Sequence, residues 1–402
     1  MNFELDDDQR MLVDSVQTFV RKESPVSRFR ALRSSGEGVT GEGDGFSRDL
    51  HRKMGELGWL GLPLPESVGG LGGSFVDLML VLEQLGTTLV PEPILSSIVL
   101  SAMTVAECGG ERFLDGVASG ERLLALAYAE QSGRYDLSRL EATAEKSGAG
   151  YRLRANKRFV LDGHVADAFV VSAKLDGKVA LFVVEAKDAK VQRIKTHDGR
   201  FAAHVSFDVE LAADRLLAAD GLAALSRAVE RGAAAVCAEG LGIMQTVLSM
   251  TRDYLSQREQ FGVKIGSFQA LQHRCVDMFV ETELARSTML LAALALDDPK
   301  AVSVAKVQLA AGGRLVVQQA VQLHGGIGIT DEADVGLDFK RMHVSQARFG
   351  DEVFHLARVA RLGLDYSGVC SRSSRPARRR FSVIAANTRA GKPAGSCPAT
   401  AS

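Results

Sequence analysis

Cysteine is scarce in this sequence, and the cysteines it has are scattered. The 402 residues contain five, none of them at the short paired spacing of a zinc site or a disulfide framework: Cys108, Cys237, Cys275, Cys370 and Cys397. The eight histidines include no His-x-x-x-His pair. This pattern predicts neither a metal centre nor a disulfide core, and it favours a reducing, cytoplasmic location.

An excess of one charge and long apolar runs are also missing. The formal net charge of -1 gives no general reason to expect nucleic acid or a membrane as a partner. No apolar run reaches the roughly 18–20 residues that span a bilayer, and the acidic start Met1–Arg10 lacks the order of a signal peptide. No Gly-x-Ser-x-Gly elbow marks a serine nucleophile.

What is present is an ordinary globular composition, with 46% hydrophobic and 24% charged residues. The first part, residues 1–120, shows helical spacing, and the run Phe75–Leu85 predicts a helix with Gly86 as its C-cap. Residues 121–224 change to short segments rich in Val, Phe and Ala between Asp-Gly turns. The predicted strands are Arg158–Leu161, Ala168–Ala173, Val179–Val184 and Ala203–Phe207.

Helical spacing returns over residues 225–366, in runs longer than the average globular helix. The three predicted helices are Ala228–Arg258, Gln269–Leu296 and Ser303–Leu323, which should pack together as a bundle. Residues 367–402 are rich in Ser, Arg, Pro, Ala and Gly, which predicts a disordered tail.

Three motifs occur in an order that matches this helical, β, helical plan. They are Leu57–Gly61 with Glu83–Gly86, then Arg258–Gly262 with Phe268-Gln269, then Gln322–Thr330. Together they resemble the acyl-CoA dehydrogenase family. The resemblance implies an α+β fold made of an N-terminal helical domain, a middle antiparallel β domain and a C-terminal four-helix bundle. It also implies FAD as cofactor, an acyl-CoA substrate and an electron-transfer flavoprotein as acceptor.

In that family, residues at several of these positions reach across a subunit interface to the adenine half of a neighbour's FAD. The resemblance carries this role onto Arg258, Phe261, Gln269, Gln322, Leu323, Gly325 and Gly326. The residue types suit it, because an arginine fork matches phosphate oxygens and glycines let backbone approach a bulky ligand.

The sequence departs from the family at the positions expected to carry out the reaction. The glutamate that removes the α-proton would stand at Phe349, and the alternative slot on the first long helix falls on Gly232. Neither residue can accept a proton. The aromatic-plus-threonine pair that meets the flavin ring is Phe159 and Leu161, and the preceding stretch reads Ala129–Tyr135.

Three interpretations follow. The chain resembles the non-catalytic partner in an α2β2 heterotetramer of two homologous chains. Alternatively it is self-sufficient, with a relocated base at Glu352, Asp351 or Glu230; a helical wheel turns Glu230 about 200° from Gly232, away from the site. A third class is a scaffold that has lost flavin altogether.

Overall fold

The N-terminal region is helical, as predicted. The computed structural model describes residues 5–35 and 43–364. Its first elements are α1 (Asp7–Glu23), α2 (Val26–Ser35), α3 (Arg48–Glu56), α4 (Phe75–Gly86), a π-helical segment (Ile94–Ala102) and α5 (Met103–Glu107). Capping boxes begin α1 at Asp6 and α4 at Ser74, where each side chain accepts a hydrogen bond from the third helical N–H.

Gly86 does not cap α4, contrary to the prediction. Helix α4 includes Gly86, and Thr87 is the C-cap. A Cβ on Gly86 would lie 2.2 Å from the carbonyl oxygen of Glu239, and one on Gly242 would lie 1.9 Å from that of Glu83. The two glycines therefore allow two helix backbones to cross in close contact, a requirement that turn propensity alone does not reveal.

The middle region is one eight-stranded sheet. Its strands are β1 (Leu124–Ala127), β2 (Thr143–Ser147), β3 (Gly150–Leu161), β4 (Ala168–Leu175), β5 (Lys178–Glu185), β6 (Ala189–Lys195), β7 (Phe201–Ala212) and β8 (Leu216–Ala218). The four predicted segments lie on β3, β4, β5 and β7. The pairing is antiparallel except where β1 and one residue of β2 run parallel to β4. The strands β2 and β6 escaped prediction because their side chains are mostly polar and exposed.

The C-terminal region forms the predicted helical bundle. It contains α6 (Leu222–Gln257), the hairpin strands β9 (Glu259–Gln260) and β10 (Val263–Lys264), α7 (Gln269–Leu294), α8 (Pro299–Gln308), α9 (Arg314–His324), α10 (Val335–Ala347) and α11 (Glu352–Leu364). A π-helical stretch, Leu309–Gly313, joins α8 to α9. Helix α6 is the centre of the bundle and contacts α4, α7, α8, α9 and α10.

In the described part of the chain, α6 is the one helix long and apolar enough to cross a membrane. Its most apolar 18-residue window is 72% buried inside the fold, as expected for a core helix. The fold class is confirmed. The domain limits at 120, 224 and 366 remain predictions, and the tail predicted for residues 367–402 lies outside the described residues.

Candidate functional site

Gly232 and Phe349, the two positions at which the resemblance places a proton-accepting glutamate, lie in contact with each other. A Cβ on Gly232 of α6 would lie 2.7 Å from Cδ2 of Leu100 and 2.8 Å from Cζ of Phe349. The Phe349 ring is 8% exposed and follows α10 in a left-handed backbone conformation, with φ of 58°. The phenylalanine therefore fills space that a side chain at position 232 would need.

Hydrogen bonds from side chains of α8 and α11 hold the loop that carries Phe349. Lys306 donates hydrogen bonds to the carbonyl oxygens of Ser345, Gln346 and Arg348 at 3.0, 3.2 and 2.8 Å. One ammonium thus serves three carbonyls at the end of α10. Burial lowers the pKa of Lys306 to about 8.

A buried histidine completes this support. His355 Nε2 lies 3.1 Å from the carbonyl oxygen of Phe349, and Nδ1 lies 3.1 Å from the Ser303 hydroxyl. Burial lowers the pKa of His355 to about 4, so the imidazole is neutral at pH 7 and donates to the carbonyl from Nε2. The backbone on both sides of Phe349 is therefore fixed by hydrogen bonds.

A cavity of about 590 Å³, here called the α6–α11 cavity, opens beside Phe349. One face of α6 lines it with Ser226, Val229, Glu230 and Ala233, spaced as one helical stripe. The cavity extends around α6 onto the stripe next to Gly232, so Glu230 lines it although a helical wheel turns Glu230 away from Gly232. Glu230 Oε1 accepts from Arg358 at 2.5 Å, whereas Oε2 is buried without a hydrogen-bond partner among the described residues.

The other two candidate bases, Asp351 and Glu352, form hydrogen bonds and an ion pair at the start of α11. Asp351 accepts from the backbone N–H of Phe354 at 2.8 Å and from the Tyr135 hydroxyl at 3.2 Å. Glu352 pairs with Arg314 at 2.9 Å. Neither side chain is among those that line a cavity beside Phe349.

A second cavity of about 640 Å³, the sheet–α10 cavity, lies on the other side of Phe349. Phe159 and Leu161 of β3 line it, together with the β6–β7 turn and the last turn of α10. Glu130, from the stretch before β2, does not reach it. Its carboxylate forms a fully buried pair with Lys157 at 2.5 Å, and burial lowers the pKa of Lys157 to about 8.

The residues with an expected role toward the adenine half of FAD are exposed and lie at the end of α6, on the β9–β10 hairpin, at the start of α7 and around the end of α9. They are here called the hairpin patch: Arg258, Phe261, Gln269, Gln322, Gly325 and Gly326. Phe261 stands at the tip of the β9–β10 hairpin, 93% exposed and with φ of 54°. Gly325, with φ of 64°, and Gly326 have open space where a Cβ would stand.

Leu323 does not share this exposure. Its side chain is 6% exposed and packs into the core, so only its backbone can face a ligand at the patch.

Two aromatic rings that are not among the expected site residues join the two segments of the patch. Tyr254 near the end of α6 stacks on His324 at the end of α9, with ring centroids 4.7 Å apart. The His324 Nδ1 lies 2.8 Å from the carbonyl oxygen of Ala320, which fixes the ring. The position of Tyr254, one turn before Arg258, was the sequence feature that could have indicated this contact. Its partner His324 is 70 positions away in the chain, so the pairing itself is not visible in the sequence.

Comparisons with known proteins agree with this architecture. The family models "acyl-CoA dehydrogenase, N-terminal domain", "middle domain" and "C-terminal domain" match residues 6–121, 125–209 and 219–364. No group of His, Cys, Asp and Glu within residues 5–35 and 43–364 is arranged to hold a metal ion.

Individual relatives point the same way. Acyl-CoA dehydrogenase FadE27 of Mycobacterium tuberculosis is 31% identical over 79% of this chain and 88% of its own length. Acyl-CoA dehydrogenase IpdE2 of the same organism is 32% identical over 84% of this chain and 92% of its own. The ChsE4–ChsE5 complex from M. tuberculosis contains a chain that is 28% identical, with a TM-score of 0.82 over 91% of this chain and 99% of that one. The chain therefore belongs to the acyl-CoA dehydrogenase family, oxidoreductases that act on a CH–CH bond of acyl-CoA and generally depend on FAD.

Proposed function

We propose that this chain is the subunit without the glutamate base in a heteromeric, FAD-dependent acyl-CoA dehydrogenase. The observation that carries the proposal is the contact between Gly232 and Phe349. Removal of an α-proton needs a carboxylate within hydrogen-bond reach of it, about 2.6–3.2 Å. Here one slot has no side chain, and the phenyl ring from the other slot fills the space beside it.

The hairpin patch is the contribution that such a subunit would make to its partner. FAD, when bound, supplies the acceptor for the hydride that leaves the β-carbon, and the electrons then pass to an electron-transfer flavoprotein. The exposed Arg258 fork suits pyrophosphate oxygens, and Phe261 offers a ring to a nucleotide. The open space at Gly325 and Gly326 permits close backbone approach. A related chain described as part of the ChsE4–ChsE5 complex supports a two-chain assembly.

The absorption spectrum of the purified protein tests this proposal. We expect the chain to be colourless when purified alone, and flavin absorbance with acyl-CoA turnover when it is co-expressed with a homologous subunit. Stoichiometric flavin and turnover in the chain alone would contradict it. A colourless product in both preparations would favour a flavin-free scaffold.

One observation favours a second candidate, a self-sufficient enzyme in which Glu230 is the base. Glu230 lines the cavity beside Phe349 and has a buried oxygen without a hydrogen-bond partner among the described residues. In that case Glu230→Gln abolishes turnover by the isolated chain, whereas the matched Glu352→Gln does not. If the chain is the base-free subunit, both variants leave turnover by the complex unchanged within about twofold.

A further inference from the structure

Four side chains form a wall that the two cavities beside Phe349 share. Tyr128, Arg134, Tyr135 and Phe349 line both the α6–α11 cavity and the sheet–α10 cavity. The cavities have volumes of about 590 and 640 Å³, and each is large enough for a small organic ligand. Movement of this wall would therefore join two ligand-sized spaces into one.

Two members of the wall are held by buried hydrogen bonds to their backbone. The carbonyl oxygen of Phe349 lies 3.1 Å from Nε2 of His355, and Lys306 donates to the carbonyl of the preceding residue. The carbonyl oxygen of Tyr128, just after β1, accepts from the buried ammonium of Lys157 at 3.3 Å. Neither backbone can shift without leaving buried polar groups unpaired, which is costly.

The other two members, Arg134 and Tyr135, belong to a surface segment between β1 and β2, residues 131–136. Gly133 is the one buried residue of this segment. The backbone hydrogen bond inside it is local, from the N–H of Asp136 to the Gly133 carbonyl at 2.9 Å. Few buried contacts and local hydrogen bonds characterise the parts of a fold that open at a low cost in free energy.

Both ends of the segment are anchored. Before it, the Glu130 carboxylate is buried, pairs with Lys157 and accepts from the backbone N–H of Ala142 at 3.3 Å. After it, Leu137 packs against the hydrophobic core. A loosely held stretch between two fixed points can move outward and return to the same place.

One side chain fastens the middle of the segment to the start of α11. The Tyr135 hydroxyl donates to Oδ2 of Asp351 at 3.2 Å, which in the described part of the chain is the one hydrogen bond from residues 131–136 to a distant segment. The Tyr135 ring packs on Phe354, with centroids 4.8 Å apart. Burial and the adjacent carboxylate raise the pKa of this hydroxyl, so Tyr135 remains a donor at neutral pH.

The backbone of the segment opposes this fastening. Arg134 has φ of 50°, in the left-handed region that disfavours any residue with a Cβ. Its side chain is 81% exposed and lies 4.0 Å from Asp351, too far for a hydrogen bond. Strained backbone of this kind occurs at switch regions, where it keeps two states close in free energy.

We propose that residues 131–136 are a gate between the two cavities, with the hydrogen bond between Tyr135 and Asp351 as its latch. When the gate is closed, a ligand is confined to the cavity that it has entered. When it opens, Arg134 and Tyr135 leave the shared wall, and one ligand can occupy both spaces beside Phe349. The inference goes beyond the proposed function, because it concerns the walls of this chain's own cavities and not the missing base.

Limited proteolysis of the full chain with trypsin tests the latch. Trypsin needs an extended backbone free of its neighbours, so cleavage after Arg134 reports the population of the open gate. Tyr135→Phe keeps the ring and removes the donor, and we expect it to speed this cleavage about threefold or more. The matched control Tyr151→Phe, on β3 and outside both cavities, should be cleaved like the wild type. Synthetic peptides with the same substitutions correct for intrinsic trypsin rates.

Asp351→Asn provides a second arm of the same test. Asparagine still caps α11 through the Phe354 N–H, but its neutral oxygen binds the Tyr135 hydroxyl less strongly than a carboxylate does. Cleavage after Arg134 should again be faster than in the wild type. The double variant should be cleaved no faster than Tyr135→Phe, because both changes remove one interaction. Unchanged cleavage in Tyr135→Phe, or effects that multiply in the double variant, would overturn the latch.

Chemical crosslinking tests whether the gate separates the cavities. Ser226 lines the α6–α11 cavity, Val344 lines the sheet–α10 cavity, and both are partly exposed. The variant Ser226→Cys/Val344→Cys is treated with a homobifunctional thiol reagent whose spacer is no longer than the straight line between the two sulfur atoms. Such a spacer cannot reach around the protein surface. We expect Tyr135→Phe to speed the crosslink about threefold or more.

The single-cysteine variants are the controls for this experiment, and each should react at the same rate with and without Tyr135→Phe. Equal crosslinking rates in the two backgrounds would overturn the gate. Failure of the proposed function is a separate event, because it is detected by acyl-CoA turnover of the isolated chain.

Discussion

The surroundings of Phe349 and the hairpin patch have opposite characters. Around Phe349 the residues are buried and closely packed. The Phe349 ring fills the space beside Gly232, and Lys306 donates a hydrogen bond to the adjoining backbone carbonyl, so a larger side chain at position 232 has no space. The patch is exposed and its shape is set by backbone turns, with Phe261 held out at a hairpin tip. The positions expected for the base and those expected to contact the cofactor therefore lie in different parts of the fold, so one set can change without the other.

Substitution of Gly232 by glutamate should destabilise the surroundings of Phe349 more than any other change. Its Cβ would lie 2.7 Å from Leu100 and 2.8 Å from Phe349, so Gly232→Glu should lower the free energy of unfolding by about 3 kcal/mol or more. Phe349→Ala alone should cost about 3–5 kcal/mol through the cavity it leaves. Because the ring and the new side chain compete for one space, the double variant should cost less than the sum. Strictly additive costs in urea unfolding would show that the two positions do not compete.

The second-largest effect should come from acidification, which should lower the free energy of unfolding through the buried histidines. The pKa of His355 is lowered to about 4 by burial, against an ordinary value of 6.5, and His51 behaves alike for the same reason. The unfolded chain binds these protons more readily, so stability present above pH 6.5 is lost as the pH falls toward 4. His355 alone should account for roughly 3 kcal/mol at most.

This pH dependence is measured by urea unfolding at pH 7 and pH 4.5. His355→Gln should shrink the difference between the two values, whereas the exposed His273→Gln should keep it. An unchanged difference in the His355 variant would contradict a neutral, buried imidazole at this position.

Removal of Arg258 should affect binding without affecting the fold. A charge-assisted contact to pyrophosphate is worth about 1.5–3 kcal/mol, so Arg258→Ala should reduce the FAD affinity of the co-expressed complex by about 10- to 100-fold. Arg252 is an exposed arginine in the last turns of α6, which Arg258 caps, and Arg252→Ala provides the control. Equal loss in both variants would mean that general charge, not the patch, holds the nucleotide.

The smallest effect should come from Phe261. Because its ring is 93% exposed, Phe261→Ser should change the free energy of unfolding by less than about 0.5 kcal/mol. It should still lower FAD affinity several-fold, if the ring contacts the nucleotide. A large loss of stability would show that the ring packs against another chain instead.

Residue spacing was a good guide wherever neighbours in sequence determine the structure. The helical bundle, the central strands and the turn at Asp176-Gly177 followed from hydrophobic periodicity and Asp-Gly turns. It was a poor guide to Gly86, and it could not show which cavity Glu230 lines. The conformation of Gly86 is set by a helix crossing 153 residues away in the chain, and the position of Glu230 depends on how far a cavity extends around α6.

The sequence by itself determined that neither Gly232 nor Phe349 can accept a proton and that the motifs Arg258–Gly262 and Gln322–Thr330 are present, because both are statements of residue identity. Only the tertiary structure decided that Gly232 and Phe349 meet and that Glu230 lines a cavity. These facts depend on side chains from distant segments, and local propensity carries no information about which distant groups burial will bring together.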